Sequence, residues 1–141
     1  MNLREIIKQK GSAVHSIQST ARLSDVVDQL VRHNCGALLV YEGAKVVGII
    51  TERDVLRTCA QHDEPLESIP VEARMTRELV TARPEAPISE VMGLLTRRRI
   101  RHLPVVEGDK LVGIVSIGDI VKAQHDLLTM ENHYLKEYLM G

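Results

Sequence analysis

Thr51 and Asp54 stand three residues apart, and Ser116 and Asp119 repeat the pair farther along the chain. At the start of a helix this spacing puts both side chains on the same side of the first turn. Free backbone N–H groups and the helix dipole favour an anion there, and a hydroxyl can donate to a phosphate oxygen. The carboxylate one turn on can accept from both hydroxyls of a ribose, as acidic residues do in other nucleotide folds. The same residues also fit a plainer role, because Thr and Ser cap helices and acids favour the first turn. Taken singly, such a pair is more often a cap than a site.

The doubling extends well beyond these four residues. Gly48-Ile49-Ile50-Thr51-Glu52-Arg53-Asp54 returns as Gly113-Ile114-Val115-Ser116-Ile117-Gly118-Asp119. The shift, about 65 residues, holds without a gap from Val14 to near Ala60. A repeat of this length is a folding unit rather than a short motif, and two copies imply two related sites.

Periodicity supplies the elements that must position those sites. Val14–Ile17 alternates as a short strand, and Ser24 is placed to cap a helix that Asn34 ends. Ala37–Tyr41 and Val46–Ile50 read as a hairpin turned at Glu42-Gly43, and Thr51 caps the helix that follows. In the second copy Leu79–Ala82 reads as a strand and Ser89 as a helix cap. His102–Val106 with Leu111–Val115 reads as the hairpin, and Ser116 opens the last helix. Each unit is β-α-β-β-α, and the fold class expected is mixed α/β (α+β), two such repeats packed with pseudo-two-fold symmetry. The boundaries expected are an N-terminal helix at 1–13, repeats at 14–62 and 79–125, a linker with one helical turn at 63–78, and a C-terminal helical extension at 126–141. The extension holds more apolar residues than a solvated tail needs, so it is expected to pack on the domain or on a second chain.

Composition narrows the function classes. The chain has 141 residues, 44% of them hydrophobic, with no Trp or Phe and a net charge of −1. Any base-binding slot must therefore use aliphatic walls. The near-neutral charge gives no electrostatic case for nucleic acid or an anionic membrane. Cys35 and Cys59 fall in no metal-ligand pattern and read as reduced thiols of a cytoplasmic protein. No segment is long and apolar enough to span a bilayer, and no signal-peptide core appears. His125 and His133 lack metal-helix spacing, and there is no nucleophile elbow, Walker loop or dinucleotide glycine motif. The reading is a protein that is not an enzyme, with no catalytic cofactor and no metal.

The β-α-β-β-α unit, with Gly-hydrophobic-hydrophobic-Thr/Ser-x-x-Asp opening its last helix, resembles the CBS domain, named after cystathionine β-synthase. Arg101-His102-Leu103-Pro104-Val105-Val106 before the Gly113 motif is a further family-like run. Two copies in tandem resemble a CBS pair, or Bateman module, over roughly Val14–His125. The resemblance implies a regulatory, energy-sensing type of fold that binds adenosine-containing ligands in clefts between the repeats, usually within a homodimer. It also implies that Thr51 and Ser116 meet phosphate, that Asp54 and Asp119 meet ribose, and that Ser16-Ile17 and Thr81-Ala82 lie beside the adenine. Ile100 and Leu103 are further candidates for the apolar walls, although for Leu103 ordinary core is the better reading.

The two sites are unequal. Arg101 and His102 lead into the second hairpin, where the first copy has Gly36 and Ala37, and Arg53 is replaced by Gly118. The Ser116/Asp119 site is therefore expected to be the tighter one. The ligand stays open among AMP, ADP, ATP, NAD and S-adenosylmethionine, and so does the effector protein. A structural dimerisation module with empty clefts is one alternative. A nucleic-acid binder using Arg97–Arg101 is a weaker one.

Overall fold

Apolar runs and amphipathic stretches become, in chain order, α1 (Leu3–Lys10), β1 (Ser16–Gln18), α2 (Leu23–His33), β2 (Ala37–Glu42), β3 (Lys45–Thr51) and α3 (Glu52–Gln61). Two 3-10 turns follow (Leu66–Ser68 and Val71–Ala73), then α4 (Ile88–Arg98), β4 (His102–Glu107), β5 (Lys110–Ser116) and α5 (Ile117–Met140). These elements come from a computed structural model that describes residues 1–140; Gly141, the last residue of the expected extension, lies outside them. The class is mixed α and β, with five α-helices and two small sheets among the described residues.

The chain forms two compact units, and their membership crosses the sequence order. Ala13–Leu79 is one unit; Met1–Ser12 joins the chain from Val80 onward in the other. In the latter, Leu3, Ile6 and Ile7 of α1 share a core with Ile88, Val91, Leu95, Leu103, Val105, Val115 and Ile120. In the former, Ile69 and Val71, from the stretch after α3, enter the core formed by Leu23, Val26, Leu38, Val40 and Ile50. Each β-α-β-β-α repeat is thus completed by the segment that precedes the other repeat in sequence.

The hairpins are alike in both units. β2 pairs antiparallel with β3, and β4 with β5, each with a register shift at the same place, Val40/Tyr41 and Val105/Val106. Gly43 and Gly108 take φ of 64° and 62° at the first position of each two-residue loop, where an L side chain is disfavoured.

The first strands differ. β1 runs parallel to β2 with Ser16 opposite Leu39 and Ile17 opposite Val40. The strand expected at Leu79–Ala82 does not form; only Ala82 bridges Val105. Proline explains the loss. In the first unit Leu39 N–H donates to His15 O and Ser19 N–H to Tyr41 O. Their counterparts are Pro104 and Pro84, which have no N–H. Two bonds survive, Ala82 N–H to Pro104 O at 3.1 Å and Val106 N–H to Ala82 O at 2.9 Å.

The caps expected at Ser24 and Ser89 also shift. Helices α2 and α4 begin two residues earlier than those caps imply, at Leu23 and Ile88, so both serines lie within the first turn. Backbone carbonyls take the first N–H groups instead: Leu23 donates to Ile69 O at 2.9 Å and Ile88 to Met1 O at 3.2 Å. Asn34 ends α2 in the left-handed region at φ 48°, as its position implies. The last helix of the second repeat runs unbroken into the C-terminal extension.

Candidate functional site

Both hydroxyl–carboxylate pairs sit where a strand passes directly into a helix. At the β3–α3 junction Thr51 is the N-cap. Its Oγ1 accepts from Asp54 N–H at 3.3 Å, while Asp54 Oδ2 accepts from Thr51 N–H at 2.9 Å and from the Thr51 hydroxyl at 3.1 Å. At the β5–α5 junction Ser116 Oγ accepts from Asp119 N–H at 3.2 Å, and Asp119 Oδ2 accepts from Ser116 N–H at 2.8 Å. The capping role is therefore realised in both copies. It uses one carboxylate oxygen of each Asp and leaves Oδ1 outside the capping bonds. All four residues are half-buried, within reach of a ligand without being fixed in the core.

The base of each hairpin closes on these junctions. Glu52 N–H donates to Gly36 O at 3.0 Å, and Ile117 N–H donates to Arg101 O at 2.8 Å. His102 pairs with Ser116 as Ala37 pairs with Thr51. Arg101, His102, Ser116 and Asp119 thus meet at one junction, whereas the first junction has Gly36 and Ala37 in the corresponding places. Arg53 is exposed in the first turn of α3. Ser16-Ile17 and Thr81-Ala82 are not brought against these pairs within their own units. β2 separates Ser16-Ile17 from β3, and Ala82 bridges Val105 of β4 rather than β5. Ile17, Ala82 and Ile100 are partly buried against the cores, and Leu103 is wholly buried.

The glycine that opens each motif has a packing task. A Cβ at Gly48 would lie 2.7 Å from Thr76 O and 2.9 Å from Met75 Sδ. That backbone is pinned by paired bonds between Ile49 and Thr76, both 2.9 Å. A Cβ at Gly113 would meet Ile7 Cδ1 at 3.2 Å. The close approach lets the completing segment lie on the strand that leads to the site.

One site residue escaped the sequence reading. Lys10, the last residue of α1, places its Nζ 2.6 Å from Asp119 Oδ2 and donates to Ile114 O at 2.9 Å. Its counterpart under the repeat shift is Met75, which packs on Gly48. Partial burial pushes the Asp119 carboxyl pKa upward, but the Lys10 hydrogen bond, the Ser116 N–H and the ammonium charge outweigh it. The group is held below the ordinary carboxyl value. Sequence proximity could not have shown this contact. Numbering both completing segments by the repeat shift sets Lys10 against Met75, the one available signal.

Among the described residues no cluster of three or more His, Cys, Asp or Glu could hold a metal ion, and no helix is long and apolar enough to cross a membrane.

The CBS domain family's sequence model matches residues 4–61 and again 67–126, so the chain belongs to the CBS domain family as a tandem pair. It is 34% identical over 148 aligned residues to the CBS domain-containing protein CBSX3, mitochondrial, of Arabidopsis thaliana, an alignment covering 99% of this chain and 72% of that protein. The crystal structure of the CBS-domain containing protein ATU1752 from Agrobacterium tumefaciens superposes with a TM-score of 0.85 at 30% identity, over 88% of this chain and 99% of that one. The CBS domain pair of protein MJ0100, solved with 5′-methylthioadenosine and S-adenosyl-L-methionine, superposes with a TM-score of 0.77 at 26% identity, over 89% and 97% of the two chains. CBS pairs are regulatory modules, and proteins built of them are generally regulatory rather than catalytic.

Proposed function

We propose that this CBS pair binds an adenosine-containing ligand through Thr51/Asp54 and Ser116/Asp119 and transmits binding by changing dimer geometry or contact with an effector protein. The observation that carries this reading is the twofold strand-to-helix junction, where a hydroxyl and a carboxylate converge at the positive end of a helix dipole. The ligands of the MJ0100 pair support adenosine as the common element. The candidates are AMP, ADP, ATP, NAD and S-adenosylmethionine. Ser16, Ile17, Thr81 and Ala82 are the proposed adenine neighbours, and Arg53, Arg101 and His102 the proposed cationic ones.

A homodimer is part of the proposal. Leu56 on α3 and its counterpart Val121 on α5 are both exposed, at 68% and 53%. Farther along α5, Leu128, Leu135, Tyr138 and Leu139 are exposed as well. A second copy covering these side chains would bury apolar surface of the kind obligate dimers bury. The free thiols of Cys35 and Cys59 support a reducing compartment such as the cytoplasm.

The test is a mass spectrum of small molecules released from the purified protein by denaturation, followed by calorimetry with each candidate. Light scattering on the same sample gives the oligomeric state. Release of an adenosine compound, or saturable binding of one, supports the reading. A protein that binds none of the candidates at millimolar concentration is a structural dimerisation module instead.

A further inference from the structure

We infer that Lys10 selects ligands by charge at the Ser116/Asp119 site, so that this site takes adenosine bearing a phosphate in preference to uncharged or sulfonium-bearing adenosine. The inference rests on the proposed function above and assigns the chemical class at one of its two sites.

Three features of the junction carry it. First, the Lys10 ammonium already lies at the start of α5. It is bonded to Asp119 Oδ2 at 2.6 Å and to Ile114 O at 2.9 Å. An ammonium has three N–H donors, and these partners use two. The third is available to an anion at the helix N-terminus, the place the dipole and the Ser116 hydroxyl favour. Second, the position of Lys10 is imposed by packing. Leu3, Ile6 and Ile7 are buried in the core of the second repeat, Ile7 seats on Gly113, and Gly11 at φ 99° ends the helix just past Lys10. The ammonium therefore arrives one turn beyond a fixed contact. Third, no cation occupies the equivalent position at the first site. Met75 occupies the corresponding position and packs on Gly48 with an apolar side chain.

When a ribose diol takes the Asp119 carboxylate, its hydroxyls compete with the ammonium for that group. A phosphate on the same ligand gives the ammonium a replacement partner, whereas uncharged adenosine displaces it without compensation. A sulfonium ligand adds like-charge repulsion.

The experiment is calorimetry on the full chain carrying Asp54→Ala, which silences the first site, with AMP and adenosine as the two probes. AMP is expected to bind at least tenfold more tightly than adenosine. Adding Lys10→Met should remove about tenfold or more of the AMP affinity and leave adenosine unchanged or slightly tighter. Lys10→Arg should keep the preference for AMP, and circular dichroism establishes that each variant is folded. Equal loss of both ligands in Lys10→Met would make Lys10 a structural residue and overturn the inference. A gain for both would make it only a lock on Asp119, with the same consequence. If the parent binds both probes equally well, this inference fails alone; if the unmodified chain binds no adenosine compound, the proposed function fails with it.

Discussion

The first and second repeats build the same capping box at the same strand-to-helix junction, yet they surround it differently. Thr51 and Asp54 have Gly36, Ala37 and Met75 as neighbours by position; Ser116 and Asp119 have Arg101, His102 and Lys10. The scaffold-bearing residues, namely the hairpin glycines and the Gly48 and Gly113 contacts, are shared. At the junctions the difference lies in side chains, while the hairpin pairing and the cap bonds are the same. A duplicated fold can therefore hold one backbone site twice while its charge diverges.

The comparison breaks most readily at the carboxylates. Asp119→Ala is expected to weaken binding of the best nucleotide by about 1.5–3 kcal/mol, roughly tenfold or more, and Asp54→Ala by less. The cations gathered at the second junction put more of the total affinity there. Calorimetry on both folded variants checks this. If Asp54→Ala abolishes binding while Asp119→Ala is neutral, the ranking of the sites is reversed, and if neither matters the ribose assignment fails.

The two motif glycines sharpen the comparison through stability. At Gly48 an added methyl meets backbone, Thr76 O at 2.7 Å, held by two hydrogen bonds. At Gly113 it meets the end of the Ile7 side chain at 3.2 Å. Overpacking costs about 1–3 kcal/mol. Gly48→Ala should fall near the top of that range and Gly113→Ala near the bottom, because a side-chain end can turn aside where a bonded carbonyl cannot. Urea midpoints in the wrong order would show that the backbone at Thr76 yields more easily than its bonds imply.

These differences also mark what the sequence could and could not disclose. The hairpins were legible because apolar runs flank a Gly turn, and α3 because Thr51 and Asp54 form a capping box within four residues. The α2 and α4 caps were misplaced because carbonyls of Ile69 and Met1, distant in sequence, do the work assigned to Ser24 and Ser89. The missing strand near Ala82 was legible in principle, since Pro84 and Pro104 can be read from the sequence. Their effect, however, depends on which strand they face. Lys10 was illegible for a related reason: its contact exists because α1 completes the distant repeat rather than the adjacent one.

The prolines give a subtler test of the same asymmetry. Pro84→Ser copies Ser19 of the first repeat and returns an N–H opposite Val106. Stability should change by less than about 1 kcal/mol, because the restored bond is offset by a more flexible unfolded chain. The expected gain is a slowly exchanging amide at residue 84. Fast exchange there would mean that Pro104 alone keeps the segment out of the sheet.

The smallest effect concerns acid. The Asp119 carboxyl is held below its ordinary value of 3.8, mainly by Lys10 working against partial burial. A folded-state pKa lowered in this way stabilises the protein above the unfolded-state value. The contribution is lost as pH falls from about 4 through the lowered folded value. With side chains 35% and 24% exposed, solvent screens the pair, and its worth is below about 1 kcal/mol. Glu85, lowered by its bond to Arg4, titrates in the same direction, so the whole-protein acid curve does not isolate Asp119. The comparison of the unmodified chain with Asp119→Asn does, because Asn keeps one oxygen for the Ser116 N–H and removes the charge. The unmodified chain should be the more stable at pH 7, and the gap should close below about pH 4. Lys10→Met should shrink the gap at pH 7, leaving only the part that the Ser116 bonds supply. A gap that does not shrink as pH falls below about 4, or that Lys10→Met leaves undiminished, would show that the stability comes from the cap alone and that the second repeat draws nothing from its lysine in the unliganded state.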